Sequence, residues 1–475
     1  MPEDHAARPE RRRAAADRRH EPKPKTQRPK AVRARHHLRP PRIGTTLAAT
    51  LGTTASLSPG LLPRTAAVQA ILTGLLVAAG FALAGLSRII ARRTGFDADR
   101  IPVRLRWQAA ATGAVVIGGA GVQAHLWQGR LRSAMGVAAL SPAHWLGCAV
   151  GAVLVAGMLI GFVRGIRWLI GGFGRWRGGA LVVAGVVTAQ AIALPAVVNG
   201  RQSADGSAET AVVQQVSMAR SGGSGSAVSW SSLGAEGRKF VAGTPSHAVR
   251  VYVGAESAPD TDSRVTLAIR ELERSGGLDR SHLVVAVPTG SGWIDSRAAD
   301  GLDERFGGDV ALVALQYSQA PSWVSFVFGR DAAVASTRAL FTAVERRIAA
   351  LDHKPRLYLY GQSLGAAAGS AIFADDTDQE RRVCAALWAG PPGGNVHRAG
   401  ATVLANSSDP VVQWSPELLW RAPDLTGTRP DAPHPPWLPA LGFVQTTVDL
   451  MTALGPPPGH GHRYGTDQGT AMGTC

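Results

Sequence analysis

Cysteine is nearly absent, with three residues (Cys148, Cys384 and Cys475) in a chain of 475. Three cannot build a disulfide framework or a Cys-based zinc site. Cys148 lies in an apolar stretch and Cys384 opens an apolar run, so each reads as a small buried hydrophobe. A Cys384–Cys475 bridge would need an oxidising compartment. Lysine is also scarce beyond the first 42 residues, and no internal repeat is visible. The formal net charge of +16 instead gathers in a tail that includes Arg11, Arg12, Arg13, Lys23, Lys25 and Lys30. That tail lacks aromatics on which bases could stack, which speaks against nucleic acid as a partner. It also lacks apolar periodicity, so residues 1–43 read as a disordered basic segment. The basic stretch is far too long for the n-region of a cleaved signal peptide.

Beyond the tail the chain turns apolar and rich in small residues. Stretches near the roughly 20 residues of a membrane span occur at 65–86, 107–127, 145–163 and 179–198. A further stretch, 44–62, is interrupted by Ser58-Pro59-Gly60, so four or five spans are expected within 44–199. The Gly and Ala content suits close helix contact in lipid. Basic residues concentrate in the tail, around Arg88–Arg106, and again around Arg164–Arg177. With five spans the positive-inside tendency sets the N-terminus inside and everything after residue 199 outside; with four, one end changes sides, and the last basic loop, which precedes the last span, still sets the later residues outside. The expected localisation is multi-pass in the cell membrane, with the lipid bilayer as partner.

Residues 200–246 carry the Gly/Ser run Ser221-Gly222-Gly223-Ser224-Gly225-Ser226 and read as a flexible linker. From 247 to 475 the texture changes. Strand-like runs at 249–254, 283–288, 309–317, 356–360, 384–390 and 401–406 alternate with helical spacing at 263–276, 331–350 and 364–374. Strand alternating with helix implies a mostly parallel sheet with helices on both faces. The segment 441–451 fits strand or helix equally.

Between one strand and the next helix lies Gly361-Gln362-Ser363-Leu364-Gly365. This G-x-S-x-G pattern is the nucleophile elbow, a tight strand-to-helix turn that lifts a serine hydroxyl out of the sheet. The bare pattern is weak, and its placement is what makes Ser363 the candidate nucleophile. A serine needs a base, and the base an orienting carboxylate, in the chain order Ser, acid, His. Asp409, just past the run 401–406, fits the acid, with Asp424, Asp431 and Asp449 in reserve. Among the later histidines, Gly459-His460-Gly461-His462 forms a glycine-flanked turn suited to a base; His462 is favoured and His460 is the alternative, while His434 sits in a Pro-rich loop. The oxyanion donors would be the N–H of Leu364 and that of Gly290 or Ser291, in the loop Thr289-Gly290-Ser291-Gly292-Trp293. That loop has neither a Walker lysine nor a full dinucleotide glycine pattern, so no phosphate cofactor is expected. No metal ligand set accompanies the histidines, and no feature specifies an oligomeric state. Gln316-Tyr317-Ser318 and Pro321-Ser322-Trp323 border the expected site, and the Pro-rich 429–439 reads as a cap.

Further motifs accompany these: Ser56-Leu57-Ser58-Pro59-Gly60-Leu61-Leu62-Pro63-Arg64, Ser232-Leu233-Gly234-Ala235-Glu236-Gly237-Arg238 and Gly390-Pro391-Pro392. Together with the elbow and the Gly459–Tyr464 turn, they make the chain resemble the actinobacterial membrane-anchored α/β-hydrolase family. The resemblance covers most of 45–465 and implies a helical transmembrane domain followed by an α/β-hydrolase domain. It also implies a Ser–Asp–His hydrolase mapped onto Ser363, Asp409 and His462. The expected activity is cleavage of an acyl ester, of lipid or cell-envelope origin given the location. Two rivals stand beside it: an acyltransferase using the same triad, and a sensor or transporter whose hydrolase-like part only binds ligand.

Overall fold

The computed structural model describes residues 40–94, 101–173, 212–214, 216–243, 246–320 and 329–475. Four helices come first: α1 (Ile43–Ser56), α2 (Ala66–Arg93), α3 (Val103–Ala134) and α4 (Ala143–Phe173). Three of them, counting Ala143–Trp168 of α4, are long and apolar enough to cross a membrane. The stretch 44–62 departs from the expected span. It folds as the 14-residue α1, about 21 Å long at 1.5 Å per residue, short of a hydrocarbon core of about 30 Å. It then runs into a loop at Ser58-Pro59-Gly60, where Pro59 has no N–H to carry the helix on. The expected span 179–198 lies outside the described residues, as does the basic tail up to residue 39.

α1 and α2 pack through small polar groups. Ser56 Oγ lies 2.8 Å from Thr73 Oγ1, and Gln69 Nε2 donates to the Ser56 carbonyl at 2.9 Å. The outer faces of α3 and α4 leave Val115 and Val153 more than 70 % exposed.

The Gly/Ser stretch is not a flexible linker where it is described. From Val216 onward it lies on the hydrolase part and continues into α5 (Gly234–Ala242). The reason is one buried carboxylate. Glu271 accepts from Ser221 Oγ, Ser226 Oγ and the Ala227 N–H, which gives the small residues a partner that the sequence pattern does not reveal.

The remaining elements alternate as the period-2 and period-3.6 patterns predict. They are β1 (Val249–Val253), α6 (Thr261–Arg274), β2 (His282–Val287), α7 (Ser296–Arg305), β3 (Val310–Leu315), α8 (Arg330–Ala349), β4 (Arg356–Gln362), α9 (Leu364–Ser370), α10 (Asp376–Arg382), β5 (Ala385–Ala389) and β6 (Ala401–Leu404). The C-terminal part adds the short α11 (Pro410–Gln413), α12 (Leu441–Leu450) and α13 (Asp467–Thr470). All strand pairs are parallel, in the order β1-β3-β2-β4-β5-β6. β1, β3 and β5 are buried along their whole length, as sheets covered on both faces require. The ambiguous segment 441–451 is helix α12. Cys384 is not simply a small hydrophobe; it is disulfide-bonded to Cys475, tying the approach to β5 to the chain's last residue.

Register decides what meets at the sheet's C-terminal edge. Val287 of β2 pairs with Gly361, Gln362 with Ala389 of β5, and Ala389 with Leu404 of β6. The loops that leave β2, β4, β5 and β6 therefore emerge side by side, where ligands bind in open parallel sheets.

Candidate active site

At the end of β4 the chain turns sharply at Ser363, whose φ of 55° and ψ of −125° lie where side chains are rarely found. Two glycines make that turn feasible. A Cβ on Gly361 would lie 2.5 Å from the Gly365 carbonyl, and one on Gly365 would collide with the Val287 carbonyl oxygen. The elbow is thus pressed against its own helix on one side and against the end of β2 on the other. The Ser363 N–H donates to the Ala389 carbonyl at 2.8 Å, fixing the nucleophile candidate beside the corner after β5.

His462 lies against the same corner: the Cβ direction of Gly390 points to within 2.7 Å of its Cε1. The imidazole is 5 % exposed. Its Nδ1 is 2.7 Å from Asp409 Oδ2, and Gln362 Nε2 donates to its backbone carbonyl at 3.3 Å. Its Nε2 is buried and has no hydrogen-bond partner among the described residues. Asp409 follows β6, is fully buried, and caps α11 by accepting from the Val411 N–H at 2.8 Å.

The two histidines of the turn face different carboxylates. His460 turns to Asp431 at 3.3 Å, and Asp431 in turn holds Ser407 and Ser408 of the loop that carries Asp409. Asp449 is engaged with Arg64, and Asp424 accepts from Thr426 on the surface. His434 sits 3.3 Å from Gln413, and burial pushes its pKa down, favouring the neutral imidazole.

Beside the elbow, the loop after β2 is held by two buried side chains. Tyr252 donates its hydroxyl to the Gly292 carbonyl at 2.8 Å, and Gln316 Nε2 to the Ser291 carbonyl at 2.9 Å. Both bonds use carbonyls. The N–H groups of Gly290 and Ser291 are thereby left out of the clamp, and the Leu364 N–H stands in the first turn of α9, where a helix has no internal acceptor. Gln316, expected to border the site, does so as this clamp. Pro321-Ser322-Trp323 lie outside the described residues.

Three contributors were not legible as site residues. Tyr464 donates its hydroxyl to Asp409 Oδ2 at 2.8 Å; burial first, and then the nearby carboxylate, push its pKa upward, so it remains a donor. Asn406 donates to the Gly461 carbonyl at 2.8 Å, holding the base turn onto the acid loop. Trp388 of β5 packs its ring where a side chain on Gly369 would stand, pressing α9 onto the sheet. Tyr464 alone carried a signal, in its place at the end of the Gly459–Tyr464 turn.

A parallel sheet, a serine elbow after a central strand, and an Asp–His pair on the loops beyond it define the α/β-hydrolase class. The chain belongs to a particular family of that class: its N-terminal region, described as Alpha/beta-hydrolase family N-terminus, matches residues 57–245. The C-terminal region, described as Alpha/beta-hydrolase family, matches 249–403 and 394–473. No curated protein and no solved structure matches the chain.

Proposed function

We propose that this protein is a membrane-anchored serine hydrolase that cleaves carboxylic esters of lipid or cell-envelope origin. Ser363 Oγ attacks the acyl carbonyl and passes its proton to His462 Nε2, while Asp409 holds the Nδ1–H and balances the imidazolium charge. The N–H of Leu364 and that of Gly290 or Ser291 receive the developing oxyanion. The protonated imidazole then returns its proton to the leaving alcohol, and water repeats the sequence in reverse on the acyl-enzyme.

The observation that carries this reading is the strained turn at Ser363, bonded to Ala389, together with a buried His462 that lies against the next residue, Gly390, and whose Nδ1 is held by Asp409 at 2.7 Å. The lipid assignment draws on a cavity of about 490 Å³ between α1, α3 and the segment 413–446, within the range of small-molecule sites. Its walls include Leu57, Leu61, Val116, Leu418, Trp437 and Leu441. Neither Ser363 nor His462 lines it; Gln413, one of its walls, ends the helix that Asp409 caps. Support for an extracytoplasmic catalytic part comes from the Cys384–Cys475 bond, because such bonds persist in oxidising compartments. The arrangement of Arg-rich loops points the same way.

The test is labelling by a fluorophosphonate probe, with native protein and the Ser363→Ala variant compared in membranes. Labelling confined to the native protein supports the proposal. A folded native protein that stays unlabelled removes it.

A further inference from the structure

Resting on the serine-hydrolase reading above, we propose that the α1–α2 connection, Leu61 to Arg64, is a positioning element for His462, so that the helical part completes the active site rather than only anchoring it.

The connection is buried from both sides. Arg64 is 1 % exposed and Asp449 fully buried. Asp449 Oδ1 accepts from Arg64 Nε at 3.0 Å and from its NH2 at 2.8 Å, while Oδ2 accepts from the Leu61 N–H at 2.6 Å. Arg64 also reaches the Gln445 carbonyl, and Gln445 Nε2 donates to the Ala55 carbonyl at 2.7 Å. Gly60 fits only without a side chain, since a Cβ there would collide with the guanidinium. From the other side α3 holds the same loop: Trp127 Nε1 donates to the Gly60 carbonyl, Gln128 Oε1 accepts from the Arg64 N–H, and Arg132 donates to the Arg64 carbonyl.

Two short routes lead from this loop to the base. The first runs through Asp449 on α12. Its helix ends at Leu450, and three residues later the Ala453 carbonyl accepts the His462 N–H at 3.0 Å. The second is direct. Leu62 is fully buried, and its Cδ2 lies 3.3 Å from the Cβ direction of Gly461, the residue before His462. Gly461 is bonded on its far side to Ser408 and Asn406 of the acid loop. The base turn is therefore clamped between the acid loop and the helical part. Removing either jaw loosens the turn that carries the imidazole. A purely tethering role would call for neither a buried ion pair nor a leucine under the catalytic turn.

The experiment uses the full chain in detergent micelles and follows fluorophosphonate labelling of Ser363, separating the maximal rate of modification from the probe concentration that half-saturates it. Leu62→Ala is expected to lower the maximal rate about 10- to 100-fold, on the scale of a misplacement approaching 1 Å, with half-saturation unchanged. Leu62→Met, which refills the space, is expected to restore most of the rate. Arg64→Ala strands a buried carboxylate and risks unfolding, so the paired change Arg64→Met with Asp449→Leu replaces it, because apolar substitution of a buried pair is often tolerated. That double variant is expected to stay folded by thermal melting yet label as slowly as Leu62→Ala. If both variants are folded and label at the native rate, the loop only joins the two parts and the proposal is overturned. If the native chain itself is not labelled, or His462→Ala labels as fast as native, the hydrolase reading fails first and takes this proposal with it.

Discussion

Replacing Gly390 by alanine displaces the imidazole while leaving the His462 and Asp409 side chains themselves unaltered. Gly390 closes β5 with φ of 57°, and a Cβ placed there would stand 2.7 Å from His462 Cε1, 2.8 Å from its Nδ1 and 2.9 Å from Tyr464 Cε2. Carbon atoms in contact prefer about 3.5–4.0 Å, so the ring must retreat by roughly 0.8 Å or more. The retreat acts on the same Nδ1 that Asp409 holds at 2.7 Å. Left-handed backbone adds a separate cost of about 1–2 kcal/mol for any residue with a Cβ. Gly394 isolates that second cost: its φ is 70°, and a Cβ there meets nothing within 4 Å. Gly394→Ala is expected to lose about 1–2 kcal/mol of stability in a thermal or denaturant melt, and Gly390→Ala more, because the overlap with His462 and Tyr464 adds to the backbone cost. Only Gly390→Ala is expected to slow fluorophosphonate labelling, by about 10²-fold, because catalysis at that scale is sensitive to displacements near 1 Å. Equal labelling by Gly390→Ala and native protein would refute the placement of His462 as the base.

Tyr464→Phe removes one of the two donors to Asp409 Oδ2, and a hydrogen bond to a charged group contributes about 1.5–3 kcal/mol. A melt should register that loss together with slower labelling, and an unchanged melt would place the Asp409 charge elsewhere. Thiol titration of the unfolded, unreduced protein should count one free cysteine, Cys148, against three after reduction. Reduction should also lower stability by about 2–4 kcal/mol, and three thiols before reduction would contradict the bond. Ala120→Trp, which intrudes on the cavity beside α3, is expected to lower kcat/KM for a long-chain p-nitrophenyl ester about tenfold relative to the acetate ester. An unchanged ratio would show that substrate chains lie elsewhere.

Local pattern carried the six strands, because a doubly covered parallel strand must be a continuous apolar run and helices must repeat every 3.6 residues. It also carried the elbow, since the strand–Gly–x–Ser–x–Gly–helix sequence encodes a local turn whose sterics involve only neighbours and the end of β2. Pattern failed where a partner was distant. The Ser/Gly stretch around Ser221–Ser226 looked like a free linker because Glu271, which binds it, lies some 45 residues away in the chain. The stretch 44–62 stayed undecided between a span and a shorter helix, because hydropathy fits a span while Ser58-Pro59-Gly60 interrupts it.

By itself the amino-acid sequence determined the order of elements, the apolar helices at the start, and Ser363 at its turn, all set by spacing within a few residues. Tertiary structure alone decided that His462 rather than His460 pairs with Asp409, and that Asp449 belongs to Arg64, 385 residues earlier in the chain. It also closed the Cys384–Cys475 bond. Each of these choices depends on strand register and on which buried charge meets which. Such contacts form only when distant segments are desolvated together, and no local pattern records them.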